Sequence, residues 1–301
     1  MSVQFETVAV VARRQRKNVA DTVLAVEAVL RDLGCAIVFE DDTAGFLPDQ
    51  HVSGAARRTC PREDLGSVSD LIVVVGGDGS LLGVSRALVG TPVPVLGVNR
   101  GGLGFLAGVS PDLLDQQLRE ILCGEYVAQN HFLLAAAVLR DGQVFAQSVA
   151  LNDVVVHSGS MAKMLEFSMS VNDEFVYDQR SDGLIVASPT GSTAYALSAG
   201  GPIMHPDLDA FVVVPMFPHT LTSRPLVVPG EVQVKLRIMS ADGQPKISCD
   251  SQVNMTLHTG DEVLISKLAE PLRLIYPLGH SFYESCRSKL DWATRLGGQQ
   301  D

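Results

Sequence analysis

Short apolar runs and helical periodicity alternate in the first third of the chain. Within Asn18–Leu33, the apolar residues Val23, Val26, Val29 and Leu30 recur at helical spacing. Continuous β-branched runs are typical of strands buried on both faces of a parallel sheet. The predicted strands are Thr7–Val11, Ala36–Phe39, Leu71–Val75 and Val93–Val98, and the predicted helices are Asn18–Leu33 and Ser80–Leu88. This β-α-β order predicts an open parallel sheet with helices on both sides.

From His131 onward the pattern changes to strands without intervening helices. Glu231–Ile238 alternates apolar and polar residues, and Asp141-Gly142 predicts a hairpin turn between two strand-like runs. The predicted strands are His131–Arg140, Val144–Val156, Met164–Val171, Gly183–Ala187, Glu231–Ile238, Lys246–Leu257 and Glu262–Tyr276. These features favour antiparallel sheets packed face to face.

The two patterns together predict a fold of class α/β plus all-β. We expect an N-terminal open parallel-sheet α/β domain at 1–125 and a C-terminal antiparallel β-sandwich-like domain at 126–276. The remaining residues, 277–301, form a predicted helical tail, with a helix at His280–Leu296 that packs back on the N-terminal domain. Asp41–Ser69 is polar and predicts an irregular loop, and Pro111–Gly124 predicts a linking helix.

Charge and composition exclude several classes of protein. Of 301 residues, 23 are Lys or Arg and 34 are Asp or Glu, so the formal net charge is −11. A field of that sign repels nucleic acid and anionic lipid surfaces, so we expect neither as a partner. Apolar runs such as Phe211–Pro218 are far shorter than the ~20 residues of a membrane-spanning helix.

The cysteine pattern predicts reduced thiols in a cytoplasmic protein. The five cysteines are scattered, without zinc-ligand or redox-pair spacing, and the histidines form no metal-binding pair. Met1–Val11 lacks the basic start and long apolar stretch of a signal peptide.

The sharpest chemical feature is the turn Gly76-Gly77-Asp78-Gly79, between a buried strand and a helix. Glycines let a ligand approach the backbone closely, and amides at a helix start favour an anion such as phosphate. A carboxylate in that place fits acceptance of a proton from an attacking hydroxyl, or help in holding a metal. The alternative is a plain strand-to-helix turn in which Asp78 is the N-cap.

A second glycine cluster, Asn99–Leu106, follows the next predicted strand. Because the carboxyl ends of parallel strands meet at one edge of a sheet, both glycine loops are expected to face one crevice. A flexible hinge between domains explains the cluster equally well.

In the second half, Asn152-Asp153 places an amide beside an acid within an apolar run. A vicinal diol such as a ribose suits a carboxylate acceptor, and an adenine edge suits an amide. In a strand the two side chains face opposite sides. The alternative is an Asx turn at a strand end.

Three further polar segments allow a ligand or a structural interpretation. Ser188–Pro202 carries small hydroxylated residues into a short helix; a ligand ring could lie against this surface, or the segment is an ordinary capped helix. Tyr177–Gly183 is either a ligand-binding segment or a solvated hairpin tip. Asp250-Ser251-Gln252 is a polar turn or a ligand contact, and Lys163 is a ligand contact or a surface residue.

Taken together, in their order and spacing, these segments resemble the NAD kinase family, in its ATP-dependent bacterial type, from about Thr7 to Tyr283. The resemblance implies phosphorylation by ATP of the 2′-hydroxyl of the adenosine ribose of NAD, which gives NADP and ADP. It also implies an active site between the two domains, a divalent cation (Mg²⁺) with ATP, and a homo-oligomeric state, either dimer or tetramer.

By the same resemblance, Asp78 is the general base, and Gly76, Gly77 and Gly79 form the phosphate loop. Many family members have Glu where this chain has Asp153, so the acid reaches about one methylene less far toward the ribose. The residues implied to bind NAD are Asp78, Gly79, Asn152, Asp153, Lys163, Arg180, Asp182, Thr193, Ala194, Tyr195, Ala196, Leu197, Ser198 and Gln252.

Two other functions stay open at this point. A lipid kinase of related fold would share the Gly76–Gly79 turn but need an apolar acceptor pocket. A non-catalytic regulator that binds NAD or NADP would keep the pocket, although retention of Asp78 argues against it.

Overall fold

The computed structural model describes residues 3–13, 18–48, 56–100, 104–159 and 163–292. The chain divides into two compact units. The first unit comprises Met1–Asn130 and Leu272–Asp301, and the second unit comprises His131–Pro271.

Within the described ranges, strands dominate the chain. They are β1 Thr7–Ala12, β2 Ala36–Glu40, β3 Thr59–Cys60, β4 Leu71–Gly76, β5 Val95–Asn99, β6 Tyr126–His131, β7 Leu134–Arg140, β8 Gln143–Ala150, β9 Asp153–His157, β10 Leu165–Val171, β11 Glu174–Ser181, β12 Gly183–Ala187, β13 Ala210–Met216, β14 Leu226–Pro229, β15 Val234–Ala241, β16 Lys246–Cys249, β17 Val253–Thr256, β18 Glu262–Lys267 and β19 Leu272–Pro277. The α-helices are α1 Val19–Asp32, α2 Asp41–Ala44, α3 Leu65–Val68, α4 Asp78–Ala87, α5 Leu114–Leu122, α6 Tyr195–Ser198 and α7 Phe282–Lys289, and 3₁₀ turns cover Arg62–Asp64, Pro111–Leu113 and Thr190–Thr193.

The first unit is built on a seven-stranded sheet in the order β3-β2-β1-β4-β5-β19-β6. β1 pairs in parallel with β2 and β4, and β5 pairs in parallel with β4 and β19. All six residues of β4 are buried, as the unbroken β-branched run predicts. The predicted open parallel sheet with helices is confirmed.

β19 corrects the interpretation of Glu262–Tyr276 as one antiparallel stretch. The structure breaks this stretch into β18, in the second unit, and β19, which pairs in parallel with β5 through Leu274 and Ile275. Leu274, Ile275 and Tyr276 are consecutive and buried. That is the pattern of a strand covered on both faces, rather than of a half-solvated antiparallel strand.

The second unit consists of two six-stranded sheets, ordered β11-β10-β15-β18-β7-β8 and β14-β13-β12-β9-β16-β17. The pairs within both sheets are antiparallel. Side chains from both sheets, including Phe167 of β10 and Val156 of β9, form one buried apolar cluster. The predicted antiparallel sandwich is therefore confirmed.

The outer face of the second sheet carries a separate apolar cluster. Val155 of β9 and Ile185 of β12 point away from the sandwich core and pack with Ala196 and Met204. Because side chains alternate along a strand, Asp153 and His157 share the outer face with Val155. The segment from Thr190 to Met204 thus lies against the face that presents Asp153.

Four local predictions need correction. Asp41–Ser69 is not irregular throughout, since it contains α2, β3, a 3₁₀ turn and α3, while residues 49–55 lie outside the described residues. Tyr177–Ser181 lies within β11, so it is not a hairpin tip; the β10–β11 turn is at Asn172 and Asp173, both with positive φ.

The other two corrections concern element lengths. Val144–Val156 is two strands, β8 and β9, which belong to different sheets and are separated by a bend at Leu151-Asn152. The C-terminal helix ends at Lys289, earlier than the expected Leu296, and residues from 293 onward lie outside the described part. Among the described residues, every helix is too short or too polar to cross a membrane.

Candidate active site

In the first unit, Asp78 lies where β4 ends and α4 begins. Gly77 is the N-cap of α4 and Asp78 is its first residue, so the alternative in which Asp78 is the N-cap is wrong. The Asp78 carboxylate turns instead toward the second glycine cluster. It accepts the backbone N–H of Phe105 at 2.7 Å and the N–H of Leu106 at 3.2 Å.

Gly104 makes this arrangement possible because it lies directly against the carboxylate. A Cβ atom at this position would lie 2.6 Å from Oδ1 of Asp78, well inside any normal contact. The two glycine clusters are therefore joined through Asp78. Residues 101–103, at the centre of the second cluster, lie outside the described residues.

Burial and nearby charges shift the pKa of the Asp78 carboxyl. Burial raises the pKa of Asp78, while N–H donors from Phe105, Leu106 and Ala107 and the positive charge of Lys289 oppose that rise. The net direction is upward. A carboxylate with a raised pKa is a stronger base than an ordinary one.

A cavity of about 460 Å³ adjoins the same loop within the first unit. Gly104 and Phe105 form part of its wall, together with His280 and Lys289 from the C-terminal segment. His280 stacks on Tyr276, with ring centroids 4.0 Å apart and an angle of 6° between the ring planes. The C-terminal segment therefore brings a cation and an imidazole to the neighbourhood of the Asp78 loop.

In the second unit, Asn152 lies in the bend between β8 and β9, and Asp153 is the first residue of β9. Of the two interpretations of this pair, the one that places both residues within one strand is wrong, because the pair lies where β9 begins. The bend packs tightly on the segment that follows β12: the Ser188 N–H donates to the Asn152 carbonyl oxygen at 2.9 Å. A Cβ at Gly191 would lie 1.9 Å from that oxygen, so only glycine fits there.

A carboxylate holds the bend from its other side. Asp250, in the turn between β16 and β17, accepts the backbone N–H groups of Leu151 at 3.0 Å, Asn152 at 2.8 Å and Asp153 at 3.3 Å. The turn at Asp250–Gln252 is therefore a polar turn with a defined partner. Burial, and then the negative charge of Asp250, raise the pKa of Asp153 to about 7.

Two of the predicted NAD-binding residues line one pocket. Asp182 and Tyr195 border a cavity of about 470 Å³ in the second unit, together with His157, Ser158, Ser248 and Ser251. That volume lies in the range of ~300–1,000 Å³ typical of small-molecule sites. His157 was not predicted from sequence, although its even spacing from Asp153 along β9 places both on the outer face.

A buried hydrogen bond holds the start of the 190–198 segment. Nδ1 of His131 lies 2.8 Å from Oγ1 of Thr190, and both residues are buried. Thr193 donates its hydroxyl to the Thr190 carbonyl oxygen at 3.2 Å. Tyr195 and Ser198 remain exposed, whereas the Ala196 side chain is fully buried in the apolar cluster beneath.

The remaining predicted site residues are more dispersed. Lys163 is exposed. Arg180, on β11, is also exposed and lies 3.4 Å from the carboxylate of Asp242. Gln252 is half-buried in the turn that contains Asp250. These three side chains do not line the pocket that contains Asp182 and Tyr195.

Comparisons with family models and with curated relatives agree on one family. The model of the ATP-NAD kinase N-terminal domain matches residues 8–126, and that of the ATP-NAD kinase C-terminal domain matches residues 151–276. Among curated relatives, the NAD kinase of Pseudomonas entomophila (strain L48) is 49% identical over 300 residues and covers 99% of each chain. The NAD kinase of Ectopseudomonas mendocina (strain ymp) is 50% identical over 297 residues and covers 98% of this chain and 99% of the relative.

Solved structures agree at the level of the fold. The structure of yeast NADH kinase complexed with NADH has a TM-score of 0.88 at 22% identity, and covers 97% of this chain and 90% of that one. The structure of an NAD kinase from Archaeoglobus fulgidus in complex with ATP has a TM-score of 0.74 at 26% identity, and covers 95% of this chain and 98% of that one. Since both family models and full-length relatives near 50% identity match it, the chain belongs to the ATP-NAD kinase family.

Proposed function

We propose that the chain transfers the terminal phosphate of ATP to the 2′-hydroxyl of the adenosine ribose of NAD, with Asp78 as the general base. The observation that supports the base is the Asp78 carboxylate itself: it follows a buried parallel strand, is fixed by two backbone N–H donors, and has a raised pKa. In the reaction the hydroxyl proton moves to Asp78, and the freed oxygen bonds to the terminal phosphorus. The bond from that phosphorus to ADP breaks, and ADP leaves with the electron pair.

This reaction needs the features that the Asp78 turn offers. A ribose hydroxyl is a weak nucleophile at neutral pH, and a correctly placed carboxylate typically accelerates proton transfer by ~10²–10⁴-fold. Beyond that, phosphoryl transfer depends chiefly on positioning and charge stabilisation. Gly76, Gly77 and Gly79 are proposed to form the phosphate loop, in which Gly79 is exposed at the start of α4 and Gly76 is buried at the end of β4.

NAD recognition is proposed for the polar residues of the second unit. Asn152 offers an amide to the adenine edge, and Asp153 offers a carboxylate to ribose hydroxyls. Asp182 and Tyr195 line the pocket of about 470 Å³. The full proposed set, with Asp78 and Gly79, adds Lys163, Arg180, Thr193, Ala194, Ala196, Leu197, Ser198 and Gln252.

A divalent cation is proposed to arrive bound to the phosphates of ATP. Mg²⁺ is usually held by one or two carboxylates together with substrate phosphates. Within the described part of the chain, no group of three or more His, Cys, Asp or Glu side chains could hold a metal. We therefore assign no protein ligands to the cation and derive no step through it.

The remaining proposals concern the protein as a whole. We propose a cytoplasmic enzyme, consistent with five cysteines that are all free thiols, and a homo-oligomer, either dimer or tetramer. The proposed domains are 1–125, 126–276 and a tail at 277–301. Inclusion of Leu272–Asp301 in the first compact unit supports a tail that packs on the N-terminal domain.

A coupled assay for NADP tests the function directly. Purified protein is incubated with NAD and with ATP or polyphosphate, then with NADH in place of NAD. We expect ATP-dependent formation of NADP. Tight NADP binding without its formation would favour the regulator, and phosphorylation of diacylglycerol in a parallel reaction would favour the lipid kinase.

A further inference from the structure

The backbone of Leu151–Asp153 runs through a bend between two strands of different sheets. Backbone N–H groups that are withdrawn from water need an acceptor. In this bend a single side chain meets the need, because the Asp250 carboxylate accepts all three N–H groups, at 2.8–3.3 Å. Hydrogen bonds to a charged acceptor are the stronger kind.

The Asp250 carboxylate is itself firmly placed. Asp250 is 5% exposed, and its own N–H donates to the Asp153 carbonyl oxygen at 2.9 Å, so the contact between turn and bend is reciprocal. Asp250 and Ser251 have φ angles of 52° and 55°. This left-handed backbone is uncommon for residues other than glycine, and asparagine and aspartate tolerate it best. The turn thus directs the carboxylate at the bend.

We propose that Asp250 is a positioning residue for NAD: its carboxylate fixes the Leu151–Asp153 backbone and so sets where the Asn152 and Asp153 side chains reach. This role rests on the proposed function, in which those two side chains hold NAD. Asp250 acts through the backbone of its neighbours and contacts no reacting atom in this scheme.

The same carboxylate also contributes, after burial, to the raised pKa of Asp153. Two buried carboxyl groups lie close together, and the three N–H donors favour the ionised form of Asp250. Burial first, and then Asp250, raise the pKa of Asp153 to about 7. Of the nearby titratable groups, His157 on β9 has a pKa that is lowered by burial and then by the charge of Lys246 on β16, and Cys249 is buried in the sandwich core.

The pH dependence of NAD affinity distinguishes a positioning role of Asp250 from a role in stability alone. The ionised form of Asp153 is the better acceptor for ribose hydroxyls, so NAD affinity of the wild type should weaken as the pH falls through about 7. The substitution Asp250→Asn removes the negative charge, which lowers the pKa of Asp153. The weakening should then begin at a lower pH than in the wild type.

The experiment is calorimetric titration of the full-length wild type, Asp250→Asn and Asp261→Asn with NAD from pH 5.5 to 8.5, alongside the NADP assay. Asp261 is a matched control, because it is a buried carboxylate of the same unit that accepts a backbone N–H, from His258 at 2.8 Å, and pairs with Arg140. For Asp250→Asn we expect a Kd for NAD about tenfold higher or more at pH 8, since charged hydrogen bonds are lost. Asp261→Asn should lower the midpoint temperature of thermal unfolding. It should leave unchanged both the affinity for NAD and the acid limb of its pH profile, which is the pH range over which the affinity weakens.

A second variant covers the case in which Asp250→Asn does not fold. Asp250→Glu keeps the charge but moves the carboxylate by one methylene, so the Kd for NAD should rise while the acid limb stays close to that of the wild type. A wild-type Kd in Asp250→Glu, or an unshifted acid limb in a folded Asp250→Asn, would overturn the positioning role. Failure of the wild type to form NADP would instead overturn the proposed function, so the two failures are distinguishable.

Discussion

Gly104 lies against the carboxylate of Asp78 so closely that a single added carbon atom would reach within 2.6 Å of Oδ1. The next two residues, Phe105 and Leu106, donate their N–H groups to that carboxylate. The absence of a side chain at position 104 is therefore what lets the second glycine cluster close around the acid.

The substitution Gly104→Ala should displace the Asp78 carboxylate and lengthen both N–H contacts. Since an error of ~1 Å in the place of a catalytic group typically costs ~10²-fold in rate, we expect kcat to fall by about that factor. Steady-state NADP formation measures the loss. Gly45→Ala is the control, because its Cβ would meet the nearest atom at an ordinary 3.4 Å, and it should retain full activity. Full activity in Gly104→Ala would show that the close approach has no catalytic importance.

Removal of the proposed base, Asp78, should separate catalysis from binding. Asp78→Asn keeps the size of the side chain but cannot accept the hydroxyl proton, so kcat should fall by ~10²–10⁴-fold while NAD binding stays largely intact. Turnover and calorimetry on the same preparation test both parts. Asp112→Asn, at an exposed acid of the same unit, should behave as the wild type. Near-normal turnover of Asp78→Asn would remove Asp78 from the role of base.

Asn152→Ala should weaken NAD binding without disturbing the bend. The contacts that hold Asn152 run through its backbone N–H and carbonyl, which alanine retains. Loss of the amide side chain should raise the Kd for NAD about tenfold, the usual effect of one lost hydrogen bond. Calorimetry checks this against Asn254→Ala, an exposed amide on β17. An unchanged Kd would reject contact between the Asn152 side chain and NAD.

The pH dependence of turnover should report on Lys289. In its proposed role as general base Asp78 must be ionised, so kcat should fall as the pH drops through the pKa of Asp78. The charge of Lys289 lowers that pKa, against the larger effect of burial. Lys289→Met removes the charge, the pKa rises further, and the acid limb of kcat should move to higher pH. Arg287 lies on the same helix as Lys289 but is not among the groups that shift the pKa of Asp78. Arg287→Met should therefore leave the acid limb of kcat in place. If Lys289→Met has the same acid limb of kcat as the wild type, the charge of Lys289 has no influence on the pKa of Asp78.

The sequence predicted those elements whose structure is determined by their own residues and immediate neighbours. The β-branched run Leu71–Val75 predicted a buried parallel strand, and Asp141-Gly142 predicted the β7–β8 hairpin turn, where both residues have positive φ. The Gly-Gly-Asp-Gly turn likewise marked the junction of β4 and α4. In each case the signal and the structure lie within a few residues of one another.

The features that the sequence did not reveal depend on distant partners. Asp250 accepts N–H groups from residues up to 99 positions away, and the sequence of its own turn does not indicate which residues these are. The bend at Asn152 is hidden because Ala150 and Leu151 before it and Val154, Val155 and Val156 after it are apolar and buried, so the sequence resembles one continuous strand. The sheet to which Leu272–Pro277 belongs is likewise decided by pairing with β5.

That late strand has a consequence for how the protein can be made. In the first sheet β19 lies between β5 and β6, so the stretch from β1 to β6 contains β6 without the strand that connects it to the rest of the sheet. An amino-terminal fragment that stops before Leu272 therefore lacks an interior row of hydrogen bonds and cannot complete its own sheet. The continuous stretch His131–Pro271 carries all the strands of its two sheets, and can close its core while the segment before it still lacks β19.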